Sequence, residues 1–140
     1  MGKILCATRG GEASYPTQDA VIALAKEQND ELAFLYVVDI SFLNRTAAPL
    51  VVDVESRLEK LGQFQLVMAQ ERAASQGVAS QTIVRRGHLQ AELAATAKEI
   101  GATIIVLGGP LGPNAVFEEA ALKTFAGKIE EETGIKTRII

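Results

Sequence analysis

Short apolar runs and helix-like stretches alternate along this chain from end to end, and that alternation limits the possible folds more than any other feature. "KILCAT" (3–8) is brief and apolar, and "SYPTQDAVIALAKEQ" (14–28) has helical spacing at Ala20, Val21, Leu24 and Ala25. "ELAFLYVVD" (31–39) is almost wholly apolar with aromatic and β-branched residues, as expected of a strand covered on both faces. A loop containing Pro49 is expected over 40–50. A long helical pattern follows from Val51 to Gln76, with Val54, Leu58, Leu61, Phe64 and Val67 as its apolar stripe and Gly77 as its stop. "VASQTIVRR" (78–86) alternates like a half-exposed strand, "LQAELAATAKEIG" (89–101) returns to helical spacing, and "TIIVLGG" (103–109) is the most buried-looking strand. After a Gly/Pro loop, residues 115–133 read as a helix and "IKTRII" (135–140) as a short last strand. The order is β-α-β-α-β-α-β-α-β. It predicts one α/β domain over 1–140, a five-stranded parallel sheet with helices on both faces. Ligands of such sheets collect at the carboxyl ends of the strands, so 8–13, 38–46 and 108–114 are the segments to search.

Bulk properties remove several function classes. The formal net charge is -3 and Arg85-Arg86 is the only adjacent basic pair, a poor match to nucleic acid. Hydrophobic residues at 48% and charged residues at 22% describe a globular chain. No run is long enough for a membrane span, and residues 1–8 lack the apolar length of a secretory leader. Cys6 is the only cysteine, so no internal disulfide framework is expected and a reducing, cytoplasmic location follows.

Candidate chemistry is sparse. "GGPLGPN" (108–114) follows a buried strand and precedes a helix. Its glycines either let backbone N–H groups approach a phosphate or simply form a tight turn requiring positive φ. It is not a Walker A loop, and "RGGEAS" (9–14) is not a dinucleotide fingerprint. His88, the only histidine, has no cysteine or carboxylate cluster beside it and is expected to be structural or solvent-facing. Cys6 is expected to pack as a small apolar residue. Glu118-Glu119 and Glu130-Glu131-Glu132 read as solvated helix faces. No catalytic residue and no metal site are expected, and nothing here demands an enzyme.

Taken together, "KILCATRGGEAS", "LYVVD" and "GHLQAELAATAKEIGATIIVLGG" resemble the universal stress protein family along the whole chain, most specifically over 87–109. The resemblance implies a Rossmann-like domain of the adenine nucleotide alpha hydrolase-like type, with strand order 3-2-1-4-5. It also implies a homodimer, often paired through the last strand, here 135–140, whose exposed edge needs covering. Many members bind ATP, and others bind no nucleotide. The ATP-binding branch carries G-x2-G-x9-G-[ST] after the fourth strand and an acidic residue at the tip of the first.

Carried onto this chain, the ligand wall is Ala7, Thr8 and Arg9 on the first strand and Val37 on the second. Leu107, Gly108 and either Gly109 or Gly112 form the first glycine turn, and Thr124 supplies the later hydroxyl. Three positions depart from the pattern. Arg9 replaces the acidic residue, the first glycine pair fits only as Gly109 and Gly112, and Leu122-Lys123-Thr124 stands where G-[ST] belongs. Glu118 and Glu119 would also repel a triphosphate unless they held a metal. Arg9 and Lys123 alter the site, either to hold a smaller anion or a differently oriented nucleotide, or with Arg9 paired to Glu12 or Glu118 to close it. The expected function is a cytosolic regulatory or interaction module of the stress response, with a degenerate nucleotide site and an unknown protein partner. The alternative is an adenine-nucleotide switch with slow ATP hydrolysis, its cofactor ATP or another adenine nucleotide with Mg²⁺. A flavin or redox carrier is the third reading, disfavoured by one buried thiol and few aromatic residues.

Overall fold

A computed structural model describes the backbone at residues 2–8, 14–38, 48–108 and 115–140, with side chains described throughout these except at 48–55 and 115–119. Among the described residues nine elements follow in strict alternation. They are β1 (Lys3–Ala7), α1 (Tyr15–Gln28), β2 (Glu31–Val38), α2 (Ala48–Ser75), β3 (Ser80–Arg86), α3 (Leu89–Ile100), β4 (Ile104–Leu107), α4 (Ala115–Thr133) and β5 (Lys136–Ile139). All strands pair in parallel, in the order β3-β2-β1-β4-β5. The alternation, the sheet and its strand order are therefore as expected.

Helix boundaries have local causes. Proline occupies the first turn of α1, where a missing N–H costs nothing, and Asn29 closes the helix in the left-handed conformation. Gly101 does the same for α3, its N–H turned back onto the carbonyls of Ala97 and Lys98.

Two apolar layers cover the sheet. One joins Ile4, Cys6, Phe34 and Val106 of the strands to Val21, Ile22 and Ala25 of α1 and to Leu66, Ala69 and Ala73 of α2. The other joins Leu5, Leu35, Ile105 and Leu107 to Leu93, Ala94 and Ala97 of α3 and to Ala126 and Ile129 of α4. Successive strand residues thus feed opposite layers, which explains why β1, β2 and β4 are apolar without alternation.

The expected stripe of α2 is corrected by the structure. Leu58 is half-buried, but Leu61, Phe64 and Val67 are exposed, and the helix instead turns Gly62, Leu66, Ala69 and Ala73 toward the sheet. The reason is close approach: a Cβ at Gly62 would lie 2.3 Å from Cδ1 of Tyr36 on β2. Small residues and one leucine, Leu66, make the contact face, and Leu61, Phe64 and Val67 lie outside it. Val54, also on the expected stripe, is among the residues whose side chains are not described.

Candidate functional site at the carboxyl edge of β1 and β4

The sheet order reverses direction between β1 and β4: the chain passes from β1 to β2 on one side, and β4 lies on the other. Such a switch point opens a crevice at the carboxyl ends of the two strands. Ala7 is in register with Leu35 on one side and Leu107 on the other, so Thr8 and Gly108 leave the sheet side by side. Thr8 is 8% exposed, and its N–H donates to the carbonyl of Leu35 at 2.8 Å, carrying the ladder one step past the strand.

The first turns of α1 roof this edge. Gln18, 2% exposed, donates from Nε2 to Oγ1 of Thr8 at 3.4 Å, while its Oε1 has no hydrogen-bond partner among the described residues. A carbonyl oxygen held there without a donor is expensive. Beside it, the Thr17 hydroxyl donates to the carbonyl of Ile140 at 3.1 Å, and the Ile140 N–H donates to the carbonyl of Leu107 at 2.9 Å. A Cβ at Gly108 would come within 3.1 Å of Thr17 Oγ1, so the close seating of α1 favours glycine there.

Of the residues the sequence points to, Ala7, Thr8, Leu107 and Gly108 meet at this switch point. Val37 lies two residues beyond Leu35 on β2, half-buried, with its side chain on the α3/α4 layer. Thr124 is exposed on α4, and its hydroxyl donates back to the carbonyl of Ala120 at 3.1 Å. Lys123 is exposed, and Leu122 before it packs on the α3/α4 layer. Arg9, Glu12, Gly109 and Gly112 lie outside the described residues, as do the side chains of Glu118 and Glu119. Sequence reasoning does not reach Gln18 and Thr17. The one signal for Gln18 is its place on the spacing 18, 21, 22, 25, a polar residue where the helix buries its face.

Other reactive groups stand apart. Cys6 is fully buried, and burial pushes its thiol from 9.0 up to about 12, so it is a packing residue. His88 is exposed at the start of α3 with no capping hydrogen bond from its ring. Among the described residues no group of three or more His, Cys, Asp or Glu could hold a metal ion, and no helix is long and apolar enough to cross a membrane.

A model of the universal stress protein family matches residues 1–110 of the chain. The chain belongs to that family. Among curated relatives, universal stress protein YxiE of Bacillus subtilis (strain 168) is 32% identical over 114 residues, which span 76% of this chain and 77% of the relative. Universal stress protein UspA of Lactobacillus plantarum shares the fold with a TM-score of 0.81 at 18% identity, covering 99% of this chain and 97% of that one. A universal stress protein in complex with cAMP superposes with a TM-score of 0.64 at 15% identity, covering 99% and 95% of the two chains. The family member from Archaeoglobus fulgidus in complex with dAMP gives 0.62 at 10% identity, covering 100% and 97%. The universal stress protein fold is thus present from β1 to β5, with its switch point between β1 and β4.

Proposed function

We propose that this universal stress protein acts as a cytosolic regulatory module of the stress response, and that its β1/β4 crevice is altered away from ordinary ATP binding. The observation that carries the reading is Leu122. It opens the Leu122-Lys123-Thr124 stretch that stands where the family pattern has G-[ST], and its side chain packs on the α3/α4 layer, followed by the exposed cation Lys123. A glycine there would let the backbone approach a phosphate, whereas a leucine anchored in the core holds it away. Isothermal titration with ATP, with and without Mg²⁺, tests this. No micromolar binding is expected, and micromolar binding would overturn the altered site.

A second reading has its own support. Two structural relatives are complexes with adenine monophosphates, cAMP in one and dAMP in the other. The β1/β4 edge keeps Gly108, and Gln18, whose Nε2 donates to Thr8 at the same edge, has in Oε1 an acceptor with no partner among the described residues. On this reading the β1/β4 edge takes an adenine nucleotide and acts as a switch with slow ATP hydrolysis. The freshly purified protein would then carry adenine nucleotide. With no Trp and two Tyr in the chain, bound nucleotide would dominate absorbance at 260 nm. A nucleotide-free spectrum together with flat titrations of AMP, cAMP and ATP counts against the switch.

The homodimer belongs to the same proposal. β5 is an edge strand, and pairing it with β5 of a second copy would satisfy its outer N–H and C=O groups.

A further inference from the structure

The outer face of α2 carries the largest group of exposed apolar side chains in the described residues. Leu61 is 48% exposed, Phe64 60% and Val67 48%, and Met68 beside them is half-buried. These residues recur at three, four and seven positions, so they form one stripe on the side of α2 facing away from the sheet. The opposite side is anchored by Leu66, Ala69 and Ala73 in the core. The flanks are also engaged: Arg72 reaches Asp19 at 2.6 Å and Tyr15, Gln70 donates to the Ser80 carbonyl, and Glu59 is ion-paired with Arg86. α2 is therefore fixed on the body, and its stripe has no freedom to turn inward.

We propose that this stripe is a self-docking surface, on which α2 of a second copy of this chain lies antiparallel about a two-fold axis beside Phe64. The stripe is arranged about that residue, with an apolar pair beside it and opposite charges at its two ends. Leu61 stands three positions before Phe64 and Val67 three after; Lys60 stands four before and Met68 four after; Arg57 stands seven before and Glu71 seven after. Antiparallel pairing places Phe64 against its own copy, Leu61 over Val67, and the Arg57 end over Glu71, each contact occurring twice. Parallel pairing would instead set Arg57 on Arg57 and Glu71 on Glu71. Charge complementarity together with an apolar centre thus selects a second copy, in one orientation. The buried patch is small beside the roughly 800 Å² per partner of a standard interface, so the association is weak and concentration-dependent. This face lies on α2, away from the β5 edge, so the two interfaces are independent and together would build a tetramer or an open chain.

Cysteine cross-linking gives the direct test, because Cys6 is buried and Phe64→Cys would place the one accessible thiol on the proposed axis. Mild oxidation is expected to convert Phe64→Cys to a disulfide-linked dimer at least tenfold faster than Ala95→Cys, an exposed control on α3. Equal rates would overturn the proposal. In sedimentation across the micromolar range, Phe64→Glu is expected to remove one step of self-association, whatever β5 contributes. A wild type that lacks this step, or a Phe64→Glu protein that sediments like it, would also overturn the proposal. Glu71→Arg should weaken the step about fivefold to tenfold, and adding Arg57→Glu should restore it. Loss without restoration would overturn the antiparallel register and point to a different occupant, such as an amphipathic helix of another protein.

Discussion

Cys6 and Gln18 are both buried where β1 meets α1, and each makes a prediction set by its chemistry. The Cys6 thiol is pushed from 9.0 to about 12 by burial, so its proton is held more tightly in the folded chain than in the unfolded one. The stabilisation from this group is therefore complete below pH 9.0 and is lost as pH rises toward 12, by up to about 1.4 kcal/mol per pH unit. Urea midpoints between pH 8 and 11 should fall more steeply for wild type than for Cys6→Ala, and thiol reagents should label Cys6 only after unfolding. Parallel slopes would show that the alkaline loss comes from other groups, the half-buried Tyr36 phenol, also pushed up, foremost. For Gln18, the unpartnered Oε1 sets the sign. Gln18→Leu keeps the volume and removes the orphan acceptor, so stability should change by less than about 1 kcal/mol, while Gln18→Ala should lose about 2 kcal/mol to a cavity. A Gln18→Leu loss as large as that of Gln18→Ala would mean that Oε1 is satisfied. At this scale the site is partly legible in the sequence. Ala7, Thr8, Leu107 and Gly108 can be found there because a strand running into glycine marks a sheet edge. Gln18 escapes, because a polar helical residue reads as solvated until its neighbours on the spacing 18, 21, 22, 25 prove to be core.

At the scale of elements, α2 shows where apolar spacing succeeds and where it fails. Its end at Ser75 follows from helical periodicity and Gly77, both visible in the chain, but its start does not: α2 begins at Ala48 and takes in Pro49, which reads as part of a loop, because proline fits the first turn of a helix. Which face is buried does not follow, because size competes with hydrophobicity when a helix sits close to a sheet. Gly62 lies against the Tyr36 ring, so the helix approaches β2 there more closely than any larger residue would permit. Gly62→Ala should gain helix propensity but lose more through overpacking, for a net destabilisation of about 1–2 kcal/mol in urea melts. Tyr36→Leu in the same chain should recover part of it, since the obstruction is the ring. A Gly62→Ala protein as stable as wild type would show that α2 slides freely over β2. The strands are easier to place. β1, β2 and β4 are buried on both faces and read as unbroken apolar runs, while the edge strand β3 is half-exposed and alternates.

On the scale of the whole molecule, the order β3-β2-β1-β4-β5 leaves β3 and β5 as its two edges, and the edges differ. β3 is dressed by ion pairs, Arg85 with Glu99 and Arg86 with Glu59, which guard its end against pairing. β5 exposes Lys136 and Arg138 on one face, with Thr137 and Ile139 half-buried on the other. A two-fold pairing of β5 preserves faces, so residues of equal parity must stand opposite each other. Centred on Thr137, it sets Lys136 against the Arg138 of the second copy, twice; centred on Arg138, it sets that arginine against itself. Cation meets cation in both registers. A β5 dimer should therefore tighten as salt rises and screens this repulsion, and a loosening would exclude β5 pairing. Arg138→Glu separates the registers. Centred on Thr137, it sets a carboxylate against Lys136 at both contacts and should tighten the dimer about fivefold at low salt. Centred on Arg138, it only exchanges one like pair for another and leaves affinity nearly unchanged. Measured in a Phe64→Glu background, where α2 cannot contribute, the sedimentation constants of the chains with and without Arg138→Glu report on β5 alone. A Phe64→Glu protein that is monomeric at every salt concentration would remove the β5 edge as an interface.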